Sequence, residues 1–155
     1  MNEVVYQLTE QNKKISTMES CTGGFIASSI TDVEGASEVL SFSAVTYSND
    51  AKVKLGVLKS TIDEYSVYSK NVAREMSFNI ASIADSNYGI GITGKINKND
   101  KFNLFGDDDK IYYSIYDKDN DIYYDFLLKA LDDTRFNNKV YIKNEIVKSL
   151  LNILK

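Results

Sequence analysis

The sequence predicts an α/β fold in which a mixed β-sheet carries helices on both faces. Helical and strand-like patterns alternate through the first 95 residues, which is typical of strands joined by helices. Two later strand-like runs, 111–116 and 122–128, flank the polar segment 117–121, which indicates a hairpin. No repeat or linker divides the 155 residues. This length suits one domain with its own core, so we expect a single domain over 1–155.

The helices are predicted from apolar residues at helical spacing, in two places after a capping residue. The clearest pattern runs from Ser69, the expected N-cap, to Ala84. Its apolar stripe comprises Val72, Ala73, Met76, Ile80 and Ile83. A second helix is expected from Asp50 to near Gly56, with Ser48 or Asn49 as its cap. Further helical patterns cover 2–12, 25–30 and 138–155, and 61–68 is a short helical or irregular connection.

Three strands are predicted in the first part of the chain. Lys14–Met18 is short and compatible with a strand, and it leads into a turn over 19–24. Val39–Tyr47 contains five apolar aliphatic or aromatic residues before Thr46 and is interpreted as a buried strand. Tyr88–Thr93 alternates and is interrupted by glycines. Segment 31–37 is predicted as a loop, and the polar segment 95–110 has the least ordered pattern.

Composition restricts the possible partners. The net charge is −4, with 22 acidic against 18 basic residues, so the surface offers nucleic acid no general attraction. No apolar run approaches the ~18–20 residues that span a bilayer. The N-terminus lacks the basic and apolar pattern of an export signal. We therefore expect a cytoplasmic protein that binds neither nucleic acid nor membrane.

The chain contains no histidine and one cysteine, Cys21. It therefore lacks the commonest general base and metal ligand, and it can form neither an internal disulfide nor a thiolate cluster. The acidic runs 107–109 and 117–121 lack the spacing and glycine of a calcium loop. Because charge runs are usually solvated, we expect no metal and no cofactor.

A serine and a tyrosine follow two of the predicted strands. Ser20 lies between a strand and the pair Gly23-Gly24, and Tyr47 ends a later strand. In α/β sheets ligands bind at the carboxyl ends of strands, so both residues should face one rim if their strands are neighbours. The glycines allow close approach of a ligand, and the following helix N-terminus favours an anion. That anion could be a phosphate or the oxyanion of acyl transfer.

Lys52 is expected at about the third position of the helix that begins after Asn49. The positive end of the helix dipole, and burial in a pocket, should both lower the pKa of its ammonium group. Such a lysine could take a proton from Ser20, with Tyr47 as relay or orienting partner. The residues alone leave the alternatives open: a polar helix start, a packed aromatic ring and a solvated charge.

Four motifs occur in order: Glu19-Ser20-Cys21-Thr22-Gly23-Gly24, segment 31–37, Tyr47-Ser48-Asn49-Asp50-Ala51-Lys52 with 55–57, and segment 67–73. Together they resemble the CinA C-terminal domain family, whose stand-alone members are nicotinamide-nucleotide amidohydrolases of the PncC type. The resemblance is clear over about residues 1–95 and looser afterwards. It implies a three-layer α/β/α sandwich and hydrolysis of the carboxamide of nicotinamide mononucleotide to nicotinate mononucleotide and ammonia.

The resemblance also implies roles for individual residues. Ser20 would attack the amide carbon, Lys52 would act as the base, and Tyr47 would assist proton transfer to the leaving ammonia. Cys21 is expected to pack inward, with a thiol nucleophile as the minor alternative. Thr22, Gly23 and Gly24 would supply donors. The other substrate-binding positions would be Asn49, Thr93, Gly94 and Arg135, the last either contacting a phosphate or lying on the surface.

One departure from the family raises an alternative function. Relatives continue position Thr93-Gly94 into a Gly-Pro-Gly-Gly type loop, whereas segment 95–100 here has neither proline nor glycine. A changed loop would fit a non-catalytic member that binds a nucleotide or a protein partner. The family also implies a possible homo-oligomer.

Overall fold

The fold is built on one mixed β-sheet of five strands in the order β2-β1-β3-β4-β5. A computed structural model describes residues 1–96 and 108–155. The first three strands pair in parallel, β1 with both β2 and β3, and β3-β4-β5 continue as antiparallel neighbours. The strands are β1 Ile15–Glu19, β2 Leu40–Val45, β3 Tyr88–Gly94, β4 Lys110–Asp117 and β5 Ile122–Lys129.

Helices cover both faces of this sheet and make three layers. On one face, buried residues of α1, α2 and α6 form a cluster with the sheet. On the other face, α4 and α5 pack against Met18 of β1. The predicted mixed sheet with helices on both faces is therefore confirmed. The helices are α1 Asn2–Glu10, α2 Phe25–Thr31, α3 Asn49–Lys54, α4 Lys59–Tyr65, α5 Lys70–Ala84 and α6 Arg135–Ile153, with a 3₁₀ turn at Ala36–Glu38.

Side-chain caps fix the start of three helices. The hydroxyl of Ser48 accepts a hydrogen bond from the amide of Ala51 at 3.1 Å. Ser69 caps α5 in the same way, as predicted. Thr134 caps α6, so this helix begins three residues before the predicted start at 138. Ile83, the last residue of the predicted apolar stripe of α5, is 51% exposed, so the buried face of this helix ends at Ala81.

Strand β2 differs from its prediction as a buried strand. It lies at the edge of the sheet and pairs only with β1. Phe42 and Val45 are exposed on it. The apolar composition of β2 suggested burial. The order of the strands, however, places β2 at the edge of the sheet, so that one of its edges has no neighbouring strand. Composition does not encode this order.

The hairpin β4–β5 is confirmed, and its acidic turn has a structural explanation. The carboxylate of Asp117 accepts hydrogen bonds from the amides of Asp119 and Asn120, at 3.1 and 3.2 Å. These bonds shape the turn in the manner of an Asx turn. Within residues 1–96 and 108–155, no group of three or more acidic or cysteine side chains is placed to hold a metal ion.

Most of the polar segment predicted as least ordered, including Asp107, lies outside the described residues. Lys95 and Ile96 at its beginning are buried. None of the helices that the structure describes is both long enough and apolar enough to cross a membrane.

Candidate active site

The carboxyl ends of β1, β2 and β3 meet at one rim of the sheet, because these three strands are parallel neighbours. Backbone pairing continues one residue beyond β1 and β2. The amide of Ser20 donates to Ile92 O at 3.0 Å, and the amide of Thr46 donates to Glu19 O at 2.8 Å. Ser20 is thereby fixed between the ends of β2 and β3, at the place where α/β folds bind ligands.

Lys52 reaches Ser20 from α3. Its Nζ lies 3.0 Å from the Oγ of Ser20 and 2.7 Å from the carbonyl oxygen of Thr46. Lys52 is 1% exposed, and Ser20 is also buried. Two residues 32 positions apart in the sequence therefore meet at hydrogen-bond distance. This contact is the geometry that proton transfer between a hydroxyl and an amine requires.

The expected helix-dipole effect on Lys52 has little support in the geometry. Helix α3 has six residues and begins at Asn49, so Lys52 is its fourth residue rather than its third. In so short a helix, a residue at this position is close to both ends, and their opposite partial charges offset each other. Burial by itself disfavours the ammonium form over the neutral amine.

Glu19, the first residue of the motif 19–24, stabilises this turn, a role that its position in the motif did not reveal. It is fully buried at the end of β1. Its carboxylate accepts hydrogen bonds from the amides of Gly24, Ile26 and Ala27 at 3.0, 3.1 and 2.8 Å. Three otherwise unsatisfied donors at the start of α2 are thus satisfied by one anion. The signal was an acidic residue directly before a glycine turn and a helix.

The carboxylate of Glu19 also changes the roles expected for the glycine turn. The hydroxyl of Thr22 donates to the carboxylate of Glu19 at 2.7 Å, and the amide of Gly24 donates to the same carboxylate at 3.0 Å. The amide of Gly23 donates to Ser20 O at 3.0 Å. The Thr22 hydroxyl and both glycine amides therefore stabilise the turn itself. Their expected role as donors to a ligand stays a prediction.

Two amides of the turn are not used by the backbone of other residues. The N–H groups of Cys21 and Thr22 make no backbone–backbone hydrogen bond within the described residues, and that of Cys21 interacts with its own thiol. They directly follow Ser20, where an acyl-transfer site places its oxyanion donors. Gly23 and Gly24 adopt φ values of 62° and 89°, a left-handed conformation that favours glycine and shapes this turn.

Cys21 packs inward, as expected. Burial raises the pKa of its thiol to about 12, against opposing effects of the charges on Arg135 and Lys52. The thiolate is the nucleophilic form of cysteine, so this thiol is inert near neutral pH. The electrostatic influence of Arg135 and Lys52 on Cys21 also indicates that both cations lie near the turn.

Tyr47 is 65% exposed, which excludes the alternative of a packed aromatic ring. Its hydroxyl accepts a hydrogen bond from Nη2 of Arg135 at 3.2 Å. Arg135 also donates to the carbonyl oxygen of Ile96. Among the described residues, the partner of the Tyr47 hydroxyl is therefore Arg135 rather than Ser20 or Lys52. Tyr47 lies at the same rim of the sheet, one residue after the carbonyl group that binds Lys52.

Of the remaining predicted binding residues, Thr93 and Gly94 contribute to packing at the end of β3, and Asn49 lies at the start of α3. The buried hydroxyl of Thr93 donates to Val67 O at 2.8 Å, which ties the end of β3 to a loop. A Cβ at Gly94 would lie 2.6 Å from the Cα of Ile111, so glycine is required there for strand packing. Asn49 is the half-buried first residue of α3. Thr93 and Gly94 thus have structural roles, and their expected contact with a substrate stays a prediction.

Comparison with known proteins gives consistent results. The model of the CinA C-terminal domain family matches residues 1–100. A Thermoanaerobacter pseudethanolicus protein whose name describes it as competence-damage inducible is 47% identical over 96 residues, which is 61% of this chain and 23% of that protein. A CinA-like protein of Desulforapulum autotrophicum is 43% identical over 93 residues, 59% of this chain and 22% of the relative. The chain thus spans about a quarter of the length of these relatives.

Solved structures share the fold. The competence/damage inducible protein CihA from Agrobacterium tumefaciens superposes with a TM-score of 0.88 and 23% identity, covering 99% of this chain and 92% of its own. A competence-damaged protein (CinA) superfamily protein from Klebsiella pneumoniae gives 0.89 and 19%, with coverages of 99% and 94%. At these identities the likeness concerns the fold.

Proposed function

The chain belongs to the CinA C-terminal domain family, and from this premise we propose that it is a nicotinamide-nucleotide amidohydrolase. The proposed reaction converts the carboxamide of nicotinamide mononucleotide to a carboxylate and releases ammonia. The observation that carries the proposal is the 3.0 Å contact between Nζ of Lys52 and Oγ of Ser20 in a buried position. The fold and the family resemblance supply the substrate class.

The first step is addition of the Ser20 hydroxyl to the amide carbon. A neutral Lys52 amine has two N–H groups and one lone pair. It can donate to Thr46 O, 2.7 Å away, and accept the proton of Ser20 as the new C–O bond forms. The tetrahedral intermediate carries negative charge on the former carbonyl oxygen. The amides of Cys21 and Thr22 are the proposed donors for that oxygen.

The second step breaks the C–N bond. The protonated Lys52 returns a proton to the departing nitrogen, with Tyr47 as the proposed assistant, so that ammonia leaves and an ester to Ser20 remains. Water then adds to the ester carbon while the Lys52 amine takes its proton. Collapse of this second intermediate re-forms the Ser20 hydroxyl and releases the acid product. Lys52 accepts or donates the proton in each of these transfers.

Tyr47 and Arg135 are proposed to contact the substrate at the open side of the crevice. Tyr47 is exposed, and its ring is held by the hydrogen bond from Arg135. Arg135 is a permanent cation that binds phosphates well. We therefore place the nicotinamide ring near Ser20 and the phosphate toward Arg135.

The test is to incubate the purified protein with nicotinamide mononucleotide and to quantify ammonia and nicotinate mononucleotide. Ser20→Ala and Lys52→Met should each lower kcat by about a thousandfold or more, because each removes a group of the proton-transfer pair. Lys54→Ala is the matched control, since it removes an exposed lysine from the same helix. That variant should keep parental kcat.

Two outcomes would contradict this proposal. Parental activity in Ser20→Ala would remove the nucleophile assignment even if turnover occurs. Absence of turnover in the parent, with nucleotide binding retained in calorimetry, would favour the non-catalytic binding domain. Circular dichroism of each variant shows whether a loss of activity comes from a loss of fold.

A further inference from the structure

Lys139 is a second cation at the nucleophile turn, and no role has been assigned to it above. It lies on α6, one turn after Arg135 and on the same face of the helix. A Cβ built on Gly23 would lie 3.4 Å from the Nζ of Lys139. The ammonium group is therefore directed at the backbone of the turn that carries Ser20.

Packing at the start of α6 sets this position. The rings of Phe25 and Phe136 meet edge to face, with centroids 5.9 Å apart and an interplanar angle of 82°. This contact joins the first residue of α2 to the second residue of α6. It holds the first turns of α6, including Arg135 and Lys139, against the glycine turn that begins α2.

The charges at this place are unbalanced toward the positive. Lys139 is half-buried, and within the described part of the chain it forms no ion pair or hydrogen bond. Arg135 donates to a hydroxyl and a carbonyl group, both uncharged. Like charges four residues apart on a helix are unfavourable by themselves. Such an arrangement is stabilised when an anion binds between the two cations.

Among the residues that the structure describes, the nearby carboxylates do not supply that anion. Glu19 is satisfied by the amides of α2 and by two threonine hydroxyls. Asp133 accepts from the amide of Thr134 and the side chain of Asn137, which lowers its pKa and commits it to the start of α6. The cationic pair is therefore available to a ligand that reaches the turn from solvent.

We propose that Lys139 is a specificity-determining residue that, together with Arg135, binds the phosphate monoester of the substrate. This inference rests on the proposed function. It adds that one side chain, Lys139, determines the preference for the nucleotide over the corresponding nucleoside. A phosphate monoester carries close to two negative charges at neutral pH and has three acceptor oxygens, which suits two adjacent cations.

The experiment compares nicotinamide mononucleotide with nicotinamide riboside, which lacks the phosphate, as substrates of the parent, Lys139→Ala, Lys139→Arg and Lys143→Ala. For the nucleotide, Lys139→Ala should lower kcat/KM about ten- to a hundredfold, mainly through KM, because one charged hydrogen bond is lost. For the riboside it should change kcat/KM by less than about threefold, since there is no phosphate to bind. Lys139→Arg should restore most of the loss.

Lys143→Ala is the matched control, because it removes a lysine of the same helix one turn further on. It should behave as the parent with both substrates. An equal loss with both substrates in Lys139→Ala would show a merely structural role and would overturn the inference, as would an unchanged kcat/KM for the nucleotide.

Calorimetric titration with nicotinamide mononucleotide separates this inference from the proposed function. If the parent releases no ammonia but binds the nucleotide at least tenfold more tightly than Lys139→Ala does, the amidase proposal fails and the phosphate site stands. If the parent does not bind the nucleotide at all, the inference fails as well. Added salt should weaken nucleotide binding to the parent more than to Lys139→Ala, because the contact is ionic.

Discussion

At the scale of single residues, burial decides which groups near Ser20 can act. Lys52 is buried against two oxygen atoms. Cys21, the next residue after the serine, is also buried, and the effect of burial on its thiol outweighs that of the nearby charges on Arg135 and Lys52. Burial therefore favours the neutral form of both side chains, with opposite consequences for their reactivity. It favours the neutral amine that a base requires, and it favours the neutral thiol, which is a poor nucleophile.

Cys21 should accordingly resist alkylation in the native protein. Burial raises the pKa of its thiol from 9.0 to about 12. At pH 8 the thiolate fraction should be about a thousandfold smaller than in the unfolded chain, where the pKa is ordinary. Iodoacetamide labelling followed by mass spectrometry should thus be slow in buffer and fast in concentrated guanidinium chloride. Equal rates in the two solvents would show that the thiol is accessible and ionised in the folded protein.

The residues of the site differ in how far the sequence could predict them. Ser20 and Lys52 were predictable as partners, since each follows a parallel strand and these strands are neighbours. The hydrogen bonds of Thr22 and Gly24 to Glu19 were not, because they depend on the direction in which a buried carboxylate points. The catalytic roles of Ser20, Tyr47 and Lys52 remain predictions.

At the scale of elements, periodicity predicted which segments are helices and strands, and caps predicted where helices begin. Ser69 determines the start of α5 by a local hydrogen bond to Val72, so a few residues contain the information. The exposure of β2 was not predictable in the same way. It depends on which strands pair, and that order is a property of the whole sheet.

Helix α5 packs so closely on β3 that a side chain at Gly91 would meet the helix backbone. A Cβ at Gly91 would lie 2.2 Å from Ala73 O and 2.5 Å from Ser77 N, both backbone atoms of α5. Because backbone cannot yield as a flexible side chain does, Gly91→Ala should destabilise the protein by about 3 kcal/mol, the upper end for overpacking. Urea unfolding should show a lower midpoint with an unchanged slope.

The control for this prediction is Gly35→Ala. No atom lies within 4 Å of a Cβ at this position, but its φ is 85°. The substitution therefore adds backbone strain without a clash and should cost about 1 kcal/mol. If both variants lose the same stability, close packing of α5 on β3 is not the reason for glycine at position 91.

At the scale of the whole molecule, the sheet joins the family-matched region to the rest of the chain. Strand β3 lies within residues 1–100, and it pairs along its full length with β4, which lies beyond them. The structure thus extends one continuous sheet into the segment where the sequence resemblance is looser. This continuity supports the prediction of a single domain over 1–155.

The turn of the β4–β5 hairpin is also tied to the first half of the chain, by Asp119. Its carboxylate accepts from Lys13 Nζ at 2.8 Å and from Asn87 Nδ2 at 3.0 and 3.1 Å. Asn87 in turn accepts from the amide of Lys14 at 2.9 Å. These contacts connect the α1–β1, α5–β3 and β4–β5 turns at the end of the sheet opposite the candidate site.

Asp119 should therefore make folding stability dependent on pH in the acid range. The hydrogen bond from Lys13, which is the largest effect, lowers the pKa of this carboxyl from 3.8. A lowered pKa in the folded state means that the stabilisation is present above about pH 3.8 and is lost as the pH falls through the folded value.

Asp119→Asn should cost about 0.5–1 kcal/mol at pH 7, a modest amount because the pair is partly exposed to solvent. Urea titrations should show the gap between parent and variant shrinking as the pH falls below 3.8 and through the lowered folded value, whereas the exposed control Asp32→Asn should follow the parent throughout. A gap that stays unchanged over this whole acid range would show that Asp119 acts through its shape and not through its charge.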